Sequence, residues 1–155
     1  MGPIFLSYVL SFVYVGIYWN NHHHMLHTAS RVSGSILWAN LFLLFCLSLV
    51  PFTTGWMGEN HFARWPVFVY ALNLLMAGIA YTILALRIRA LHGEQSALAR
   101  AMGADNKGKI SVVAYVIAMG LTFVSPLAGL AVTVGVALMW LIPDRRIEKA
   151  LTEAK

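Results

Sequence analysis

The sequence predicts an all-α integral membrane protein, one domain built as a bundle of five transmembrane helices. Two observations predict it. Hydrophobic residues make up 59% of the 155 and charged residues only 11%, against about 45–50% and about 25% in an average soluble domain. The few charges are also clustered, leaving residues 1–30, 32–58, 65–86 and 110–143 without any Asp, Glu, Lys or Arg. A membrane-spanning helix needs roughly 20 apolar residues, so each run is long enough to cross. This composition excludes a water-soluble globular enzyme, a disordered chain and a disulfide scaffold. The length fits a single domain, residues 1–155.

The elements follow from the runs. The first span covers residues 2–19 and ends in the aromatic pair Tyr18 and Trp19. The second covers 32–51 and ends at Pro51. The third covers 65–86 and continues into the cytoplasm through Arg87-Ile88-Arg89-Ala90-Leu91. The fourth run is too long for one span and is broken by Ser125-Pro126-Leu127-Ala128-Gly129, giving spans at 110–124 and 127–142. A cytoplasmic loop at 87–109 includes an alanine-rich surface helix over Gln95–Met102 and a turn over Gly103–Gly108. The tail is 143–155. Strand barrels are excluded because alternation of apolar and polar residues with period two is missing. Tyr14, Tyr18, Trp19, Trp38, Trp56, Trp65 and Trp140 gather at span ends, where amphipathic rings favour the membrane interface. Ala71, Ala77, Gly78, Ala80 and Ala85 in the third span, and Gly129, Ala131, Gly135 and Ala137 in the last, are small residues that let helices approach closely.

The basic residues test the count. Alternating sides puts Arg31, Arg87, Arg89, Arg100, Lys107, Lys109, Arg145, Arg146, Lys149 and Lys155 on one face and Arg64 alone on the other. The richer face is cytoplasmic by the positive-inside rule. The carboxyl terminus is then cytoplasmic and the amino terminus outside, although it has neither the charged region nor the cleavage site of a signal peptide. Five helices with an outside start read as six with the first one missing. The net charge of +5 needs no nucleic acid: the charges sit at helix ends and meet anionic lipid head groups. The single cysteine, Cys46, rules out a disulfide within the chain.

The most unusual segment is Tyr18-Trp19-Asn20-Asn21-His22-His23-His24-Met25-Leu26-His27. His23 and His27 share a helical face at spacing i, i+4, which suits zinc or copper. The local stretch offers no Asp, Glu or Cys to complete a metal site or to orient its ligands. A polar network that ties helix ends together is the alternative. No span holds an Asp, Glu, Lys or Arg at its centre, where ionisable groups mark function. That points away from enzymatic catalysis, proton-coupled transport and any cofactor. Asn40 and Asn73 are the candidates for hydrogen bonds between helices, while Ser48, Thr82, Ser111, Thr122 and Thr133 are expected to bond carbonyls one turn back. A channel needs few reactive groups, since carbonyls, charged rings or apolar constrictions suffice for selectivity. A scaffold fits the same lack equally well.

Three stretches resemble the transmembrane protein 175 family of potassium channels. Ser11-Phe12-Val13-Tyr14-Val15-Gly16-Ile17-Tyr18-Trp19-Asn20-Asn21-His22-His23 is similar to the family's second-helix signature, and Tyr-Trp-x-Asn-His-His is its most specific part. Leu37-Trp38-Ala39-Asn40-Leu41, leading to Ser48-Leu49-Val50-Pro51-Phe52, resembles the next helix, and Tyr70-Ala71-Leu72-Asn73-Leu74-Leu75 the start of the fourth. The resemblance implies a potassium-selective channel subunit for passive potassium transport across the cell (inner) membrane. Its implied partners are potassium ions, the lipid bilayer and three further copies in a homotetramer. The family's subunits have six helices, and the first lines the pore and carries Arg-x-x-x-Phe-Ser-Asp, a string absent from these 155 residues. The five spans then correspond to helices two to six. Trp19, Asn21, His22 and His23 are implied to be structural supports for the pore helix, and no pore-lining residue carries over. The 155 residues alone are expected to conduct little or no selective current. Two other functions stay open: a non-conducting accessory or structural membrane protein, and a metal-binding one using His22, His23, His24 and His27.

Overall fold

The computed structural model describes residues 2–27, 29–93 and 106–141. They contain five helices: α1 (Gly2–His27), α2 (Gly34–Glu59), α3 (Arg64–His92), α4 (Asn106–Leu121) and α5 (Pro126–Leu141). By length and composition α2 and α3 are apolar enough to cross a membrane, and α5 is a shorter apolar helix. α3 is the hub, touching α2 on one side and α4 and α5 on the other, while α1 lies against α2 and α5.

Two clusters of buried side chains hold these contacts. One joins Met25 of α1 to Ile36, Leu43 and Cys46 of α2 and Ala77, Ala80, Leu84 and Ile88 of α3. The other joins Tyr14 of α1, Val50 and Met57 of α2, Tyr70 and Leu74 of α3, Tyr115 of α4 and Val136 of α5. Ala71, Ala77 and Ala80 are fully buried. Side chains this small let the other helices approach α3's backbone closely. Gly129 shows the same device at its tightest. A Cβ there would stand 2.7 Å from the Ala118 carbonyl oxygen and 2.8 Å from Thr122 Cγ2.

The helix ends differ from the sequence expectation in ways with physical causes. α1 does not stop at Trp19. Asn21 turns its Nδ2 back onto the Ile17 carbonyl at 2.8 Å, spending its polar group within the helix rather than in a turn. α2 begins after Val32 and Ser33 and runs through Pro51 to Glu59. Pro51 removes one donor, but its ring is exposed, and the next residues carry the helix on. Thr53 Oγ1 bonds the Leu49 and Val50 carbonyls and Thr54 Oγ1 the Val50 carbonyl, consistent with the tolerance of proline in apolar helices. α2 turns into α3 through His61 and Phe62, both with positive φ, and the Phe62 N–H closes onto the Met57 carbonyl at 2.9 Å. α4 ends at Leu121 rather than at residue 124. Thr122–Ser125 turn back on it, with the Ser125 N–H bonded to the Leu121 carbonyl at 2.8 Å, and Pro126 opens α5. Proline suits that first position because its missing N–H has no partner there anyway. Asn106, Lys107 and Gly108, expected in a turn, form the first turn of α4. The expected surface helix over Gln95–Met102 and the tail lie outside the described residues.

Ser48, Thr82, Ser111, Thr122 and Thr133 each bond a carbonyl three or four residues back. The connection between α1 and α2 is pinned differently. The Arg31 N–H donates to His92 Nε2 at 3.1 Å, while His92 Nδ1 lies 2.9 Å from the Ile88 carbonyl. With the Arg31 N–H donating to Nε2, these contacts suit the tautomer whose Nδ1 donates to the Ile88 carbonyl. Nitrogen NMR of labelled His92 is expected to show that tautomer. His92→Leu is expected to speed hydrogen exchange at the Arg31 amide by roughly 3–10-fold, the worth of one hydrogen bond. An unchanged rate would mean the ring does not hold the connection.

Candidate functional site at the polar end of α1

The segment Tyr18–His27 is helical throughout, so its side chains divide by helical face. Asn21 points inward and is buried. Tyr81 of α3 donates to the Asn21 backbone carbonyl at 3.4 Å. His22 Nε2 donates to Asn40 Oδ1 of α2 at 2.6 Å. Asn21 and His22 thus face the neighbouring helices, and the bond from His22 ties α1 to α2.

Trp19 and His23 point the other way. Trp19 is 62% exposed. Its ring stacks on His23 with centroids 5.2 Å apart and planes 12° from parallel. His23 in turn meets His27 edge to face at 4.4 Å. Trp19, His22, His23, Leu26 and His27 line a shallow open groove. Trp19 and His23 also continue a longer stripe, since Phe5, Tyr8 and Phe12 lie on the same helical face one or two turns apart. All three are about as exposed as Trp19, and no described helix covers this face. The outward face of α2, with Trp38, Leu41, Phe45 and Phe52, is apolar except for the exposed Ser48, whose hydroxyl bonds the Phe45 carbonyl. The α1 stripe instead ends in two histidines.

The remaining candidates separate. His23 and His27, the possible metal pair, are close in space, but among the described residues no group of three His, Cys, Asp or Glu gathers. Asn40 makes its bond to another helix. Asn73 does not through its amide nitrogen: Nδ2 is buried with no partner among the described residues. Aromatic position misled at Tyr14, expected at the interface but buried, with its hydroxyl donating to the Thr133 carbonyl of α5 and its ring edge-to-face with Tyr70. The signal lay in the spacing of Tyr14, Tyr18 and Asn21, three polar-tipped side chains on one helical face turned toward the other helices.

Five helices, two of them long and apolar enough to cross a membrane, define an all-α helical bundle. Comparison with known proteins sharpens this. Residues 1–51 match the family described as the endosomal/lysosomal potassium channel TMEM175. The chain is 52% identical over 151 residues to a potassium channel of a Chryseobacterium species, covering 97% of this chain and 79% of that protein. It is 29% identical over 86 residues to a potassium channel of Streptomyces collinus, covering 53% of this chain and 42% of that one. No solved structure matches. The chain belongs to the transmembrane protein 175 potassium channel family.

Proposed function

We propose that this chain is the subunit of a potassium-selective channel, a homotetramer that lets potassium move passively down its gradient across the inner membrane. The observation that carries the proposal is the 52% identity along 97% of the chain to a potassium channel. In this reading the five helices correspond to helices two to six of a six-helix subunit. The open stripe of α1, from Phe5 to His23, is the seat of the pore-lining helix and of the neighbouring subunits. Trp19 and His23 make that contact. Asn21, His22 and Asn40 stiffen the pair α1–α2 behind it. The end of the bundle carrying Arg31, Arg87 and Arg89 faces the cytoplasm, following the positive-inside rule.

The 155 residues, reconstituted alone into liposomes, are expected to give little or no potassium flux above protein-free vesicles. Addition of a segment carrying Arg-x-x-x-Phe-Ser-Asp ahead of α1 is expected to give flux that favours potassium over sodium. Robust selective flux from the 155 residues alone would place the pore within α1–α5 and remove the six-helix correspondence.

A further inference from the structure

We propose that His23 and His27 form an open binding site for a divalent transition-metal ion, copper(II) above all, with water completing the coordination. The proposal does not rest on the channel reading.

The helix supplies the pair. Residues four apart stand one above the other on a helical face, and α1 stays helical through His27. Both rings are exposed and meet edge to face, with centroids 4.4 Å apart and planes at 76°. That spacing is the one chelation requires. A nitrogen held about 2.0 Å from an ion puts its ring centre about 3.2 Å away, so two rings at a right angle around one ion have centres about 4.5 Å apart. Rotation about the bond to each ring then aims a nitrogen at the ion, and that torsion is soft. The backbone need not move. Trp19, stacked on His23 at 5.2 Å, holds that ring on the shared face, which lowers the cost of ordering it around an ion.

The neighbouring histidines are placed differently. His22 Nε2 is bonded to Asn40 Oδ1 at 2.6 Å. His24 follows His23 directly, and adjacent residues on a helix do not face each other; its ring centre lies 5.8 Å from that of His23.

The number of ligands selects the metal. Among the described residues no group of three His, Cys, Asp or Glu gathers, so the protein offers two. A structural zinc site takes four protein ligands and a catalytic one three, and zinc is held weakly by two. Copper(II) stands at the top of the affinity order for nitrogen ligands and favours a tetragonal arrangement. Two imidazoles fill adjacent corners of such an arrangement and water fills the others. His23 is also the side chain given above to the contact with the pore-lining helix, so the ion and that contact exclude one another.

The test is titration of the purified 155-residue chain with copper(II) chloride in detergent, without a polyhistidine tag, read by calorimetry and by electron paramagnetic resonance. Wild type is expected to bind one copper(II) per chain, more tightly than zinc or nickel, with a resonance signal split by nitrogen ligands. The outer partners of metal ligands are already worth roughly 10–100-fold in affinity, so His23→Ala and His27→Ala are each expected to weaken binding by about 10-fold or more. Both positions are exposed, so the variants are expected to fold as wild type does. His24→Ala is expected to bind copper as wild type does. Affinity unchanged in His23→Ala and His27→Ala, or a loss in His24→Ala as large as theirs, would overturn the proposal. So would zinc bound as tightly as copper, or a wild-type chain that binds no copper.

Discussion

Gly129→Val is expected to destabilise the bundle by about 3 kcal/mol, the upper range for overpacking a tight core. The cause is geometric. The Cβ would press to 2.7 Å on the backbone oxygen of Ala118 and to 2.8 Å on Thr122 Cγ2, and real Cβ atoms do not come that near. A backbone oxygen cannot swing aside as a flexible side chain can. α4 and α5 must therefore separate, taking the bond from Trp140 Nε1 to Ser111 Oγ with them, now 2.7 Å long. Gly129→Ala is expected to show a milder form of the same loss. Gly135, whose Cβ would meet nothing within 4 Å, is the control and is expected to accept alanine without loss. Thermal unfolding in detergent measures the series. Equal midpoints for the two alanine variants would show that the α4–α5 contact is looser than described here.

The polar end of α1 gives the second large effect, and it separates two faces of one helix. His22→Ala leaves Asn40 Oδ1 without its 2.6 Å partner and is expected to cost about 1–2 kcal/mol of stability. A double-mutant cycle with Asn40→Ala is expected to return a coupling of about 0.6–1.7 kcal/mol, the range for hydrogen bonds between membrane helices. Trp19→Ala and His23→Ala touch a different quantity. Both side chains lie on the open face, so the monomer is expected to unfold at nearly the same temperature as wild type. In the chain carrying the added segment ahead of α1, assembly and potassium flux are expected to fall by 10-fold or more if the stripe seats the pore-lining helix, which is about 1.4 kcal/mol of contact energy. Unfolding midpoints and subunit mass measured on the same four variants check both halves. If Trp19→Ala unfolded the monomer while leaving flux intact, the division between the two faces would be wrong.

Charge spacing made the helices legible, because charged groups avoid apolar helix interiors and so mark the connections. Arg31, Glu59, Arg64, Arg87 and Lys109 stand at or within a few residues of helix ends. What it missed was how far helices outrun their apolar cores. Histidine and asparagine are polar but compatible with a helix, so α1 continues through Asn20–His27. Pro51 was the expected end of the second span, yet α2 holds its course past it to Glu59. Asn73 was legible as polar, but not that its buried amide nitrogen has no partner among the described residues, since partners depend on which way the hub helix turns that face. The site was legible as a motif, Trp19 to His23, and the division between an inward pair and an outward pair needed the actual helix path. Tyr14 was not legible as buried, because tyrosine at a span end resembles an interface anchor.

The most direct test is ion flux from the chain carrying a segment with Arg-x-x-x-Phe-Ser-Asp ahead of α1, purified and reconstituted into liposomes. Potassium is expected to run down its gradient faster than sodium, with no energy source, and to slow in Trp19→Ala. Vesicles no more permeable to potassium than protein-free ones, at a protein density where subunit assembly is confirmed, would contradict the channel assignment and favour a non-conducting membrane protein.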